Sequence, residues 1–198
     1  MPRRGIAAGC SGFTFAEPCS AEPASDDRAQ RVREGVAVVS QLVGLTVNGA
    51  ERELIARPST TLLSALREQL GLTGAKRGCA QGGCGTCTVL LDGEPVVSCL
   101  VPLVGVDGAS VTTVEGLAAS DGQLSPLQEA FLDGYAQQCG FCTPGMLMSS
   151  CALLRRNSTP SREEVNEALS GNVCRCTGYQ TIVSAVLDAA ERMAEVRP

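Results

Sequence analysis

The chain has 198 residues, 44% of them hydrophobic, a formal net charge of −5, and eleven cysteines against four Phe, two Tyr and no Trp. That length holds one medium domain or two small ones; no apolar run reaches membrane-helix length, and the acidic balance gives no electrostatic case for nucleic acid. Histidine is absent altogether, which removes imidazole-ligated zinc, Rieske centres, histidine-ligated haem and every catalytic pair built on an imidazole.

Residues 1–41 mix Ser, Pro, Gly and both charges without periodicity, as in Glu22-Pro23-Ala24-Ser25-Asp26-Asp27, and read as a flexible N-terminal extension. Cys10 and Cys19 have no partner at ligand spacing and read as incidental thiols. Arg3-Arg4 before Gly5-Ile6-Ala7-Ala8-Gly9 resembles a twin-arginine export signal, but no cleavage site follows. The expected compartment is therefore the cytoplasm, with export to the periplasm as the alternative.

Residues 42–118 read as one β-rich domain. Leu45 and Val47 alternate, Asn48-Gly49 turns the chain, and a return strand runs through Leu54 to Ala56, which makes a hairpin. Ser59, Thr60 or Thr61 then caps a helix with Leu62, Leu63, Leu66 and Leu70 on one face, and Gly71 stops it. A second hairpin, Thr88 to Leu91 and Glu94 to Cys99, turns at Asp92-Gly93, and Ser110 to Val114 supply a fifth strand. Hairpin, helix, loop, hairpin and closing strand is a β-grasp order.

Between helix and second hairpin lies Cys79-Ala80-Gln81-Gly82-Gly83-Cys84-Gly85-Thr86-Cys87. With Cys99 it has the C-x4-C-x2-C…C spacing of plant-type [2Fe–2S] loops, and Gly82, Gly83 and Gly85 permit the backbone angles and close N–H approach that wrapping a cluster needs. A disulfide framework and a structural zinc site fit less well, because zinc favours paired C-x2-4-C knuckles and disulfide scaffolds are short and secreted.

Residues 119–198 read as a four-helix bundle. Ser125-Pro126-Leu127-Gln128 opens a helix running to about Gln137, and Thr143-Pro144 opens another to Arg155-Arg156-Asn157. Met146, Leu147, Ser150, Leu153 and Leu154 form the inner face of that second helix. Ser161 with Glu164 caps a third. Thr177 with Gln180 caps a fourth, whose core face is Ile182, Val183, Val186, Leu187, Ala190 and Met193. Cys139 and Cys142 precede the second helix, Cys174 and Cys176 the fourth, so folding back the intervening helical hairpin assembles four thiolates. By spacing alone these suit zinc or a second [2Fe–2S] unit. Cys151, inside the second helix, reads as a small buried hydrophobe.

The stretches Gly78-Cys79 to Cys87, Gln138-Cys139-Gly140-Phe141-Cys142-Thr143-Pro144-Gly145 and Gly171-Asn172-Val173-Cys174-Arg175-Cys176-Thr177-Gly178-Tyr179 resemble the two signatures of the molybdenum hydroxylases. That is the family of xanthine dehydrogenase and aldehyde oxidoreductase, and residues 42–195 resemble its separate small iron–sulfur subunit. The resemblance implies an α+β chain, a β-grasp plant-type ferredoxin domain followed by a four-helix bundle, with two [2Fe–2S] clusters. One would sit on Cys79, Cys84, Cys87 and Cys99, the other on Cys139, Cys142, Cys174 and Cys176. It further implies that Gln138 touches a molybdopterin on a large subunit, that a medium subunit carries FAD, and that no residue here is catalytic. Its function would be relaying electrons during aldehyde or N-heterocycle oxidation. The alternatives are a free-standing ferredoxin-like carrier and a zinc-binding interaction module, and for Gln138 a polar residue ending a helix at the surface.

Overall fold

The computed structural model describes residues 40–196; the N-terminal extension, Cys10, Cys19 and the Arg3-Arg4 stretch lie outside them. Strands β1 (Gln41–Val47) and β2 (Ala50–Ala56) pair antiparallel. The turn between them holds Asn48 at φ 51° and Gly49 at φ 80°, the paired left-handed conformation that matches strand twist.

Thr61 is the residue that caps the next helix: its hydroxyl accepts the Ser64 N–H, and Ser64 answers from the Thr61 N–H. The expected α-helix is only partly one. Helix α1 (Leu62–Ser64) makes a single α turn and continues as a π turn over Ala65–Gln69. The wider turn keeps Leu66 in the core while Gln69 reaches the free edge of β2. There its amide accepts from the Ile55 N–H and donates to the Ile55 carbonyl, both at 2.9 Å, satisfying groups that would otherwise template another strand.

Strands β3 (Thr88–Leu91) and β4 (Glu94–Val97) form the second hairpin, and β5 (Ser110–Thr112) completes a five-stranded sheet of order β2-β1-β5-β3-β4. Only β1 and β5 run parallel. The fifth strand stops before the expected Val114 because Asn48 intercepts it. Asn48 Oδ1 accepts the Thr113 N–H at 2.8 Å and Asn48 Nδ2 donates to Thr113 Oγ1 at 2.9 Å, after which Val114–Leu117 turn into a 3-10 helix. Val43, Leu45, Leu54, Leu62, Leu66, Val89, Leu103 and Val111 fill the core beneath.

The helical half comprises α2 (Pro126–Asp133), α3 (Thr143–Arg156), α4 (Arg162–Leu169) and α5 (Gln180–Val196). Capping boxes at Ser125 and Ser161 form as expected. Helix α2 ends at Asp133 rather than near Gln137, because Tyr135 turns left-handed at φ 47° and the Ala136 N–H returns to the Phe131 carbonyl at 2.9 Å. Thr177 does not cap α5. Gly178 and Tyr179 both have positive φ, 66° and 68°, and the Thr177 hydroxyl accepts the Tyr179 N–H and meets Cys174 Sγ instead.

Phe131, Met146, Leu154, Val165, Ile182 and Val186 make the bundle core. Helix α3 is buried on more than the one face expected, since Met148 and Ala152 pack against Leu90 of β3. The second half thereby docks on the sheet through its central helix. No helix among the described residues is long and apolar enough to cross a membrane.

Candidate metal centres

The chain between α1 and β3 holds Cys79, Cys84 and Cys87, with Cys99 just past the end of β4. The thiols act on one another in pairs: Cys84 affects the ionisation of Cys79, and Cys99 that of Cys87. The Gln81 N–H donates to Cys79 Sγ at 3.5 Å and, ahead of smaller contributions from Cys84 and the Gly83 backbone, draws the Cys79 pKa down to about 7. Burial, helped by the Cys99 thiol and opposed by the Cys99 N–H, pushes Cys87 the other way, to about 11. Thr86 Oγ1 lies 3.3 Å from Cys84 Sγ and donates to the Lys76 carbonyl.

Of the loop glycines, Gly85 shows most plainly why no Cβ is allowed. It sits at φ 67°, and a methyl group there would run into the Gly171 carbonyl and within 2.7 Å of Asn172 Nδ2. Gly83 corrects the expectation, having neither a positive φ nor an atom within 4 Å of an added Cβ. Ala80, a non-glycine, takes the left-handed turn at φ 55° instead.

The second set lies at the starts of α3 and α5. Cys139 and Cys176 are exposed, with sulfurs 3.7 Å apart; Cys142 and Cys174 pair further inside. A disulfide would need about 2.05 Å. Two thiolates about 2.3 Å from one tetrahedral metal stand roughly 3.8 Å apart, and the Cys176–Cys139 thiol contact has a similar length. Cys139, Cys142, Cys174 and Cys176 line a single cavity of ≈ 180 Å3 with Phe141 and Val173. Burial, then Cys174, raises Cys142 to about 12. Burial also opposes ionisation of Cys174, yet the Thr177 hydroxyl at 3.1 Å and the Thr177 N–H at 3.5 Å bring it down to about 7. Cys176 is raised, first by its contact with Cys139.

Each set therefore couples a thiol poised to ionise with a buried one that resists it, an arrangement that a cation resolves by displacing the remaining protons. Four thiols with an N–H donor to sulfur at each place, and the tight glycine loop at the first, suit a [2Fe–2S] unit. Cys151 stays apart, half-buried among apolar side chains with its thiol raised by burial. Gln138 is exposed and ends no helix, since α2 stops at Asp133.

Two residues of the second signature have roles that spacing did not reveal. The Tyr179 hydroxyl accepts the Cys174 N–H at 2.9 Å and donates to the Asn172 carbonyl at 3.1 Å, bracing the ligand loop. Asn172 is 4% exposed and fully hydrogen-bonded. Their only sequence signal was membership of the motif.

Residues 45–113 match the family model of the 2Fe-2S iron-sulfur cluster binding domain, and residues 113–187 that of the [2Fe-2S] binding domain. Two such domains in one chain make an electron-transfer protein. The chain is 56% identical over 147 residues to the nicotine 6-hydroxylase small subunit of Paenarthrobacter nicotinovorans, covering 74% of this chain and 88% of that protein. It is 47% identical over 152 residues to the nicotinate dehydrogenase small FeS subunit of Eubacterium barkeri, covering 77% and 96%. Quinoline 2-oxidoreductase from Pseudomonas putida 86 contains a chain that superposes with a TM-score of 0.76 at 46% identity, covering 80% of this chain and 99% of that one. The chain belongs to the small two-[2Fe–2S] subunits of the molybdenum hydroxylases, and is the electron-transfer part of a multisubunit oxidoreductase.

Proposed function

We propose that Cys79, Cys84, Cys87 and Cys99 hold one [2Fe–2S] cluster and Cys139, Cys142, Cys174 and Cys176 the other, between a large molybdopterin-binding subunit and a medium FAD-binding subunit. The whole enzyme, in the cytoplasm, oxidises an N-heterocycle or an aldehyde, and the relatives named for nicotine, nicotinate and quinoline favour the heterocycle. The clusters supply one-electron carriers for a two-electron oxidation. This chain's residues hold and tune them: all-thiolate ligation keeps potentials low, and N–H donors to sulfur with burial set the rest.

The observation that carries the reading is the polarity of the second set. Cys139 and Cys176 lie exposed beside exposed Gln138, whereas Cys142 and Cys174 lie inward, next to the loop of the first set. The outer pair thus faces the molybdopterin subunit, with the Gln138 amide reaching the pterin, and the inner pair faces the next carrier.

Two clusters require four irons and four labile sulfides per chain, so zinc, or half that iron in fully loaded protein, refutes the ligand assignment. Gln138→Ala in the assembled enzyme should weaken pterin retention by the equivalent of one or two hydrogen bonds, about 1 kcal/mol each, and leave the Cys79-loop spectrum unchanged. Altered Cys79-loop signals beside a normal second cluster refute the assigned order.

A further inference from the structure

The two cysteine loops meet at backbone distance. The Val173 N–H, immediately before Cys174, donates to the carbonyl of Cys84 at 2.9 Å. One residue earlier, Asn172 Nδ2 donates to the Gly85 carbonyl at 3.0 Å and lies 3.5 Å from Thr88 Oγ1, while Asn172 Oδ1 accepts from Ser149 Oγ at 2.7 Å. One buried amide therefore ties together the first cysteine loop, the start of β3, helix α3 and the second cysteine loop. The packing around it leaves no slack. A Cβ on Gly145 would strike the Gly85 carbonyl and lie 2.9 Å from Asn172 Nδ2, and one on Gly85 would lie 3.0 Å from Asn172 Cα.

Resting on the ligand assignment above, we propose that Asn172 is the positioning residue for electron passage between the two cluster sites. It clamps the loops so that the Val173 N–H stays on the Cys84 carbonyl. From Cys84 Sγ to Cys174 Sγ the connection then consists of covalent bonds interrupted once, by that hydrogen bond. Tunnelling decays far less along bonds and hydrogen bonds than across van der Waals gaps, so losing this contact replaces the shortest bonded link with a jump through space. The step moves one electron: the site on Cys139, Cys142, Cys174 and Cys176 is oxidised by one, and the site on Cys79, Cys84, Cys87 and Cys99 is reduced by one. No proton needs to move, because the N–H and the carbonyl keep their partners throughout.

The experiment uses the assembled enzyme with Asn172→Ala, Ser149→Ala and, as a control of stability alone, Val165→Ala in the bundle core. Three readouts are taken besides turnover: iron per chain, amide hydrogen exchange at Val173, and two paramagnetic measurements, the splitting between the centres when both are reduced and the rate at which a single electron equilibrates between them when only one is. In Asn172→Ala, exchange at Val173 should rise about tenfold, as when a buried hydrogen bond is lost from a closed segment, and the equilibration rate should fall with the splitting. Ser149→Ala should move both in the same direction by less. Val165→Ala should lower the melting temperature and change neither. Unchanged rate and splitting in Asn172→Ala with four irons bound overturn the inference alone, as does an equal loss in Val165→Ala. Should Asn172→Ala fail to fold, unchanged rate and splitting in Ser149→Ala overturn it. Wild-type protein with fewer than four irons overturns the ligand assignment and this inference with it.

Discussion

Gly83 and Gly85 stand two positions apart in one loop and differ in every physical respect that matters. Gly85 has φ 67° and a backbone carbonyl where a Cβ would go; Gly83 has an ordinary φ and open space. Gly83→Ala should accordingly stay within about 0.5 kcal/mol of wild type, as surface changes do. Gly85→Ala combines left-handed strain of about 1–2 kcal/mol with a backbone collision that no rotamer relieves. It should lower the melting temperature and deplete iron from both sets, since the displaced Gly171 belongs to the second loop. Iron analysis with a thermal melt checks the pair; equal behaviour of the two variants contradicts it. At the same scale, Tyr179→Phe removes the acceptor of the Cys174 N–H and a donor to the Asn172 carbonyl. Each such bond contributes about 1 kcal/mol, and the loss should appear as a shift in the second cluster's potential while the first keeps its own.

Capping decides where several elements begin. Thr61, Ser125 and Ser161 form reciprocal boxes; those at Ser125 and Ser161 were readable because a box is local, a hydroxyl and its partner three residues on, whereas the first cap had three candidates, Ser59, Thr60 and Thr61. At Ser161 the box has a pH signature. Hydrogen bonds from the Ser161 N–H, the Ser161 hydroxyl and Asn157 hold the Glu164 carboxyl below its usual range. A depressed carboxyl contributes stability that is present above its unfolded pKa of about 4.3 and lost as pH falls through the lower folded value. Wild type and Glu164→Gln should therefore differ in melting temperature at neutral pH and converge in acid. A difference that persists or grows below the carboxylate range contradicts the assignment. The Thr177 box failed for an equally local reason: with Gly178 and Tyr179 left-handed, the hydroxyl is directed at Cys174 Sγ, and metal-loop geometry overrides the helix-start pattern.

The two halves of the molecule are joined by Leu90, Met148 and Ala152, all nearly inaccessible, and by the Asn172 amide. Each half has too little core to be robust alone. On the proposed ligand assignment, loss of iron would leave Cys87 and Cys142, raised to about 11 and 12 with burial the first cause, as neutral thiols without bonds to close their loops. Cluster-free protein should thus melt well below the loaded form, and an unchanged circular-dichroism melt contradicts this. Leu90→Ala opens a cavity at the junction, at a cost of about 2–5 kcal/mol. The loss should appear in hydrogen exchange on both sides, in β3 and in α3; confinement to the sheet would mean that the halves are energetically independent.

Much of this protein was legible residue by residue, because its strongest signals are short-range. The two cysteine spacings, the Asn48-Gly49 and Asp92-Gly93 turns and the Ser125 and Ser161 caps are each set by neighbours a few positions apart, and covalent connectivity alone brings those neighbours together. Position within the fold settled the rest. The sequence could not place β5 between two hairpins that precede it, nor show α3 buried against both bundle and sheet. The π turn after Ser64 depends on Gln69 finding Ile55 on a strand edge. Asn172 is the sharpest case: among its chain neighbours it is one polar residue in a loop, and its partners at Gly85, Thr88 and Ser149 lie far from it in sequence. A hydrogen bond to such distant groups has no local signature, because only the closed fold brings donor and acceptor within 3.5 Å.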